Sequence, residues 1–436
     1  MLGFLNVQLF NSKKQHGKRS MENYSIVIFI MAIMIGLSAL ADRIRLPYPV
    51  LLITAGIIIG FIPNMPEVEI NPEVIFLIFL PPLLYDAAFN ISYKDFRTHL
   101  NTISTLAVGL VFLTATGIAL IAHYLIPGMS WPLAFVLGAI LSATDAVAAI
   151  GITKGLDLSH KTATILEGES LINDASALVA YRFAVAAVTG ATFVLWEASL
   201  TFLILMAGGF LVGFIMSKLL AFILKYVKNN NLVTIGFILL MPFVTYRMAE
   251  ELQVSGVIAV VILGLGISRY SRNVFPNQIK EQSKSIWDII IFLLNGLIFI
   301  LIGLQFPYVL RNIDETQIVP YVGYALIITI VALIIRMARV FLQKVNLQRG
   351  FNSKKVHILE DALLDFQSSL IISWSGMRGI VSLAIALGLP HKIENGLAFP
   401  MRNEIIFISV TVVLFTLLGQ GLTLPWLVKL VTRKSS

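Results

Sequence analysis

From residue 22 to residue 431 the chain repeats one pattern, a long apolar stretch followed by a short polar connection. Runs of about twenty apolar residues each suffice to cross the hydrocarbon core of a bilayer. Lipid tolerates only helices or closed barrels. Barrel strands are short and alternate apolar with polar positions, which these runs do not. The pattern therefore predicts an all-α polytopic membrane protein. Thirteen spans are expected, at 22–41, 47–62, 72–89, 101–125, 131–153, 160–189, 196–226, 231–249, 253–270, 285–309, 319–342, 367–389 and 403–431.

Charge then orients the spans. Connections after odd-numbered spans hold 22 basic residues, from Arg43 and Arg45 through Lys429, Arg433 and Lys434, whereas those after even-numbered spans hold 4, Arg247, Arg311, Lys392 and Arg402. The positive-inside rule places the first group and the C-terminus in the cytoplasm, and the N-terminus outside. Residues 1–20 disagree, because Lys13, Lys14, Lys18 and Arg19 belong inside. Met21 opens a frame without that conflict, so 1–21 reads as a leader or a misassigned start. Residues 22–431 read as a single transporter domain and 432–436 as a short cytoplasmic tail.

Composition agrees with the pattern. Of the 436 residues 57% are hydrophobic and 13% charged, about half the charge of a soluble chain. Cysteine is absent, which excludes disulfides, thiolate metal sites and cysteine nucleophiles. The net charge of +8 follows the loops, so it marks topology and not a nucleic-acid surface. No Gly-rich phosphate-binding loop, HExxH or comparable metal-ligand spacing occurs. An enzyme and a cofactor are therefore not expected, and the driving force is expected to be an ion gradient.

The informative residues are polar groups inside spans, where a charge is costly and persists beside a cavity, partner or substrate. Span 5 reads GAILSATDAVAAIG, setting Ser142, Thr144 and Asp145 between Gly138 and Gly151. Small polar residues beside a carboxylate suit an interrupted helix whose freed carbonyls can bind a cation. Span 6 reads LEGESLINDASALVAYR. Glu169 and Asn173 share one face at i, i+4, and Ser170 and Asp174 share the adjoining face. Two aspartates in consecutive spans, with no lysine in either core, point to a cation site. Span 3 carries Pro81, Pro82 and Asp86, the last either an ion-path carboxylate or a helix-end charge. Span 12 reads SWSGMRGIVSLAIALG, with Gly376 and Gly379 flanking Arg378. Span 11 carries Arg336 and Arg339, either of which can snorkel to the interface. Interrupted spans 5 and 12 are seven apart, so two six-span halves would be inverted repeats, a pointer to a midplane transport site.

FLPPLLYDAAF, LSATDAVAAIG, EGESLINDASALV, NGLIFILIGLQ and SGMRGIVSLAIAL, in that order, resemble the signatures of the sodium/proton exchangers of the monovalent cation:proton antiporter superfamily. The likeness covers residues 22–431. It implies a homodimer with a moving core (spans 4–6 and 11–13), a dimerisation scaffold from the remaining spans, crossing broken helices at spans 5 and 12, and elevator-like alternating access. Asp174 would be the ion- and proton-binding carboxylate. Thr144, Asp145 and Ser170 would complete the Na⁺ site or shape it, and Asp86 would lie on the ion path. Glu169 and Asn173 would be held by Arg336, and Arg378 would neutralise the crossover and serve as the permanent counter-charge of Asp145. Relatives often carry proline where this chain has Ala146. Electrogenic relatives carry a second aspartate where this chain has Asn173, so one-for-one exchange of Na⁺, Li⁺ or K⁺ for H⁺ is expected, serving pH and cation homeostasis at the cell (inner) membrane. The rivals are a cation channel and an anion or organic-acid transporter built on Arg378 and Arg336.

Overall fold

A computed structural model describes residues 30–40, 48–62, 72–153, 156, 158–190, 195–227, 230–353, 359–393 and 396–432. The expectations for residues 1–21, for 433–436 of the tail, and for Arg43, Arg45, Lys154, Lys354 and Lys355 lie outside these residues. Apart from one bridge between Lys392 and Ala398, the described residues form helices and their connections.

The helices are α1 (Ile30–Leu40), α2 (Tyr48–Gly60), α3 (Pro72–Asn90), α4 (Leu100–Leu125), α5 (Trp131–Ser142), α6 (Ala146–Ile152), α7 (His160–Val188) and α8 (Leu195–Val227). After them come α9 (Asn231–Glu251), α10 (Gly256–Val274), α11 (Asn277–Arg311), α12 (Glu315–Ser353), α13 (Phe366–Trp374), α14 (Ile380–Leu387) and α15 (Arg402–Val431). Among the described residues 7 helices, α4, α7, α8, α9, α11, α12 and α15, are each long and apolar enough to cross a membrane. The most apolar window of α12 has a mean hydropathy of 2.5 yet is only 22% buried within the protein. Such a face is stable only against lipid or another apolar surface.

Local chemistry sets the ends. Ser159, Asn230, Ser255 and Asp365 each accept a backbone N–H from the first turn of α7, α9, α10 and α13, the usual way to satisfy orphan donors. Asp314 accepts the N–H of Thr316 at 2.9 Å and its hydroxyl at 2.8 Å, which holds its exposed carboxyl below the usual carboxylate range. Two helices run longer than predicted. The polar stretch to Ser353 continues α12, and Asn277–Lys284 begins α11. Hydropathy marks where a helix leaves lipid, not where its hydrogen bonds stop.

Spans 5 and 12 are each two short helices, α5–α6 and α13–α14, with extended backbone between. The two breaks meet. The N–H of Asp145 donates to Met377 O at 2.8 Å, and the Ser382 hydroxyl to Ala143 O at 3.3 Å. A Cβ at Gly379 would land on the Asp145 carboxylate, so only glycine permits this approach. Around the crossing, α5 and α4 pack on α7, and α12 packs on α4, α13 and α15. On the other side α2 lies along α11, and α3, α8 and α9 pack on α10. Helices α4 and α15 both contain a π turn, at Thr105–Leu110 and Thr416–Gln420. The second presents Thr416 Oγ1 to the N–H of Arg378 at 3.1 Å.

Candidate functional site

The four helix ends at the crossing concentrate partial charge, and each pair is met by a side chain of opposite sign. The negative ends belong to α5 and α13. Arg378, 3% exposed, donates from Nε to Leu141 O at 2.8 Å and from Nη1 to Gly376 O at 2.6 Å. The positive ends belong to α6 and α14. The Asp145 carboxylate accepts the N–H of Ala148 at 3.2 Å and that of Ile380 at 3.4 Å. The arginine answers helix carbonyls, and Asp145 is met at first hand by two helix N-termini. The sequence placed opposite charges at the crossover, but only the crossing angle of four half-helices determines which end faces which.

Helix α7 runs past this crossing and uses its two faces differently. On one, Glu169 forms a two-pronged ion pair with Arg336 of α12, Nη1 to Oε1 and Nη2 to Oε2, the latter at 2.9 Å. Both residues are 2% exposed. Arg336 Nε also donates to Ile372 O of α13 at 3.0 Å, so one side chain ties α12, α7 and α13 together. Thr144 donates to Glu169 at 3.2 Å. Asn173 donates to Thr144 Oγ1 at 2.7 Å and to Thr144 O at 3.2 Å. Asn173 is thus held by Thr144, while Arg336 directs its bonds to Glu169 and Ile372. Arg339, one turn on, is half-buried.

The adjoining face of α7 lines a cavity of about 460 Å³. Glu167, Ser170, Leu171 and Asp174 contribute from α7, and no later α7 residue does. Asp86 and Asn90 line it from α3, and Thr144, Asp145 and Ala146 from the first break. Gly379, Ile380 and Ser382 line it from the second break, and Asp288 and Asn295 from α11. Asp174 is 8% exposed. Below it α7 is fastened elsewhere, Tyr181 donating to Gly388 O at 3.0 Å and Arg182 pairing with Glu250 of α9 at 2.8 Å. Ser170 is engaged with the break: its hydroxyl donates to Thr144 O at 3.1 Å and accepts the N–H of Ala146 at 3.4 Å. A proline at 146 could not make that second bond.

The structure therefore brings Asp86, Thr144, Asp145, Ser170 and Asp174 to one cavity, and sets Glu169, Asn173, Arg336 and Arg378 behind it. Sequence reasoning passed over Glu167, Asp288 and Asn295. Glu167 was within reach, since it shares the helix face of Ser170 and Asp174 at i, i+3, i+7. Such an arrangement offers a desolvated carboxylate, neighbouring hydroxyl and carbonyl oxygens, and a polar way in, which is what binding a partly dehydrated cation requires. Among the described residues no three His, Cys, Asp or Glu side chains cluster as a metal-ion site would need.

Comparison with known proteins follows the same line. Residues 27–430 match the family described as sodium/hydrogen exchanger, transmembrane. The chain is 35% identical over 418 residues to the sodium, potassium, lithium and rubidium/H(+) antiporter of Bacillus pumilus, covering 93% of this chain and 61% of that protein. It therefore spans less than two thirds of that relative's length. It is 31% identical over 418 residues to the Na(+)/H(+) antiporter of Aphanothece halophytica, covering 94% of this chain and 75% of that one. Its fold matches a sodium proton antiporter of Methanocaldococcus jannaschii with a TM-score of 0.72 at 20% identity, covering 94% and 98% of the two chains. By its motifs, its crossed broken helices and a match along nearly its whole length, this chain belongs to the transmembrane sodium/hydrogen exchanger family.

Proposed function

We propose that the protein is a secondary antiporter that exchanges Na⁺, or Li⁺ or K⁺, for H⁺, one for one. The observation that carries this reading is Asp174, a buried carboxylate at the inner end of a cavity beside two crossed helix breaks. Burial disfavours a bare charge, so the site holds a proton or a cation and not both. Obligatory exchange follows if the helices around the crossing move readily with either one bound and poorly when the carboxylate is empty. The relatives' names as Na(+)/H(+) and multi-cation antiporters support the same substrates. Reconstitution into proteoliposomes with a trapped pH-sensitive dye, scanning Na⁺, Li⁺ and K⁺, tests it. Saturating, cation-driven proton movement is expected. A passive conductance would instead favour a channel, and failure of pH jumps to drive Na⁺ flux would favour an anion carrier.

Within this reading Asp174 carries the exchanged ions, Asp145, Thr144 and Ser170 shape and complete the site, and Asp86 lies on the path to it. The pair Glu169–Arg336 and the residue Arg378 hold the crossing rigid. A homodimer, with a core of α4–α7 and α12–α15 moving against the remaining helices, is the assembly in which such a site can face each side in turn. We place thirteen crossings in the cell membrane, with the N-terminus outside and the C-terminus in the cytoplasm, in accord with the loop charges.

Competition at one carboxylate has a measurable sign. Protonation removes cation sites, so the apparent KM for Na⁺ should rise as pH falls, by about tenfold per unit once below the site's pKa. A KM that stays flat over a wide pH range, with only the maximal rate changing, would indicate separate sites.

Exchange should also ignore the membrane potential. Asn173 cannot carry a second proton, and the Asp145 carboxylate, accepting the N–H groups of Ala148 and Ile380, serves the helix break and not the exchange. The moving core then bears the same net charge in both directions. A potential is worth about 2.3 kcal/mol per elementary charge per 100 mV, and here it finds no charge difference to act on. Rates in valinomycin-clamped proteoliposomes, with Na⁺ or Li⁺ as substrate, should be equal at either sign of potential. An end-point gradient that shifts with voltage would point to Asp145 as a second titrating group.

A further inference from the structure

Helix α11 flanks the cavity as one unbroken rod, packed along α2 and touching α3 and α14. Three of its residues line the cavity, Asp288, Ile291 and Asn295, at the i, i+3, i+7 spacing of one helix face. Their burial rises inward: Asp288 is exposed, Ile291 half-buried, and Asn295 is 3% exposed. The stripe thus runs from a carboxylate at the mouth to an amide at depth. The Asn295 side chain meets the Tyr48 hydroxyl of α2 on one side, while its Oδ1 is buried with no hydrogen-bond partner. A buried amide oxygen without a donor is costly, and such atoms in folded proteins call for an explanation. A hard cation is an effective partner for it, because such ions take neutral amide and carbonyl oxygens as well as carboxylates.

We propose that Asn295 is a cation-positioning residue, whose amide oxygen supplies a neutral ligand to the ion at Asp174 while the cavity is open. The proposal rests on the exchange reading above and adds to it a second wall of the site. A neutral oxygen contributes affinity without a second titrating charge, so it is compatible with one-for-one exchange. Its position has a further consequence. Asp174 stands on α7, inside the group of helices around the crossing, whereas Asn295 stands on α11 outside that group. When the group moves to expose Asp174 to the other side, α11 and its amide stay behind. Asn295 therefore acts on one face of the membrane only.

That asymmetry separates a ligand from a packing residue. Cation-driven proton movement would be measured in proteoliposomes of uniform orientation, varying Na⁺ on one face at a time, for the unaltered protein, Asn295→Leu and Asn295→Ser. For Asn295→Leu the KM on the cavity face should rise by about tenfold, the scale of one lost polar contact. The KM and maximal rate from the opposite face should stay within about twofold, while the maximal rate from the cavity face should rise with its KM, because detailed balance fixes the ratio of the two faces' kcat/KM. Asn295→Ser keeps an oxygen and should fall between the two, and it carries the test alone if Asn295→Leu does not fold. An unchanged KM on the cavity face, or an equal rise on both faces, overturns the proposal while leaving antiport intact. Absence of exchange by the unaltered protein overturns the antiport reading, and with it the one-sided role drawn for Asn295.

Discussion

Asp174→Asn should yield a folded protein that moves no protons in response to a cation gradient. The substitution keeps the side chain's volume and its capacity for hydrogen bonds, and removes only the charge that H⁺ and cation alternately neutralise. Asp174 is 8% exposed, and water reaching it through the cavity carries no charge to replace the missing carboxylate. Its neighbour cannot substitute either. Asp145 is bound to the N–H groups of Ala148 and Ile380, and its geometry belongs to the helix break. Loss should therefore reach the detection limit, with unchanged melting behaviour in detergent. Wild-type-like exchange by this variant would sink the central assignment. Asp145→Asn should also impair transport severely, but for another reason, since it weakens the compensation of two helix ends. That variant should lose stability as well as rate, which distinguishes the two aspartates.

Arg336→Ala should cost the fold more than any other single change near the site. The guanidinium meets Glu169 with both terminal nitrogens and Ile372 O with Nε, and both charged partners are 2% exposed. Removing one member of a buried pair leaves an uncompensated charge, a loss of about 3–5 kcal/mol. Here the surviving Glu169 would keep only the Thr144 hydroxyl, at 3.2 Å. The arginine also fills space: a Cβ at Gly376 would run into its side chain, so truncation opens a void between α12 and α13. Arg339→Ala, at a half-buried position one turn away, should shift the melting temperature far less. Removing both charges together, as in Arg336→Met with Glu169→Gln, should recover part of the loss, because no bare charge then remains. A larger loss at Arg339 than at Arg336, or no recovery in the double variant, would overturn the energetic role given to the pair.

Sequence alone determined the class of the molecule and the faces of its key helix. Apolar runs of bilayer length are a one-dimensional signal, and so is the i, i+4 spacing that separates Glu169 and Asn173 from Ser170 and Asp174. The structure uses those two faces for an ion-pair network and a cavity. Broken helices at spans 5 and 12 were legible because glycine and small polar residues interrupt otherwise apolar stretches. Tertiary structure alone decided the partners. Arg336 and Arg339 differ by three positions on one helix, and which of them meets a carboxylate 167 residues away depends on how α12 rotates against α7. Thr144, not Arg336, holds Asn173 for the same reason. The opposition of Asp145 to two N-termini and of Arg378 to two C-termini exists only once four half-helices cross, since partial charges at helix ends appear when helices stop and act over a few ångströms. Asn295 opens the signature NGLIFILIGLQ, yet received no role there because a single amide carries no periodic signal. Its meaning comes from the cavity it borders, and a cavity is a property of packed helices, not of any one of them.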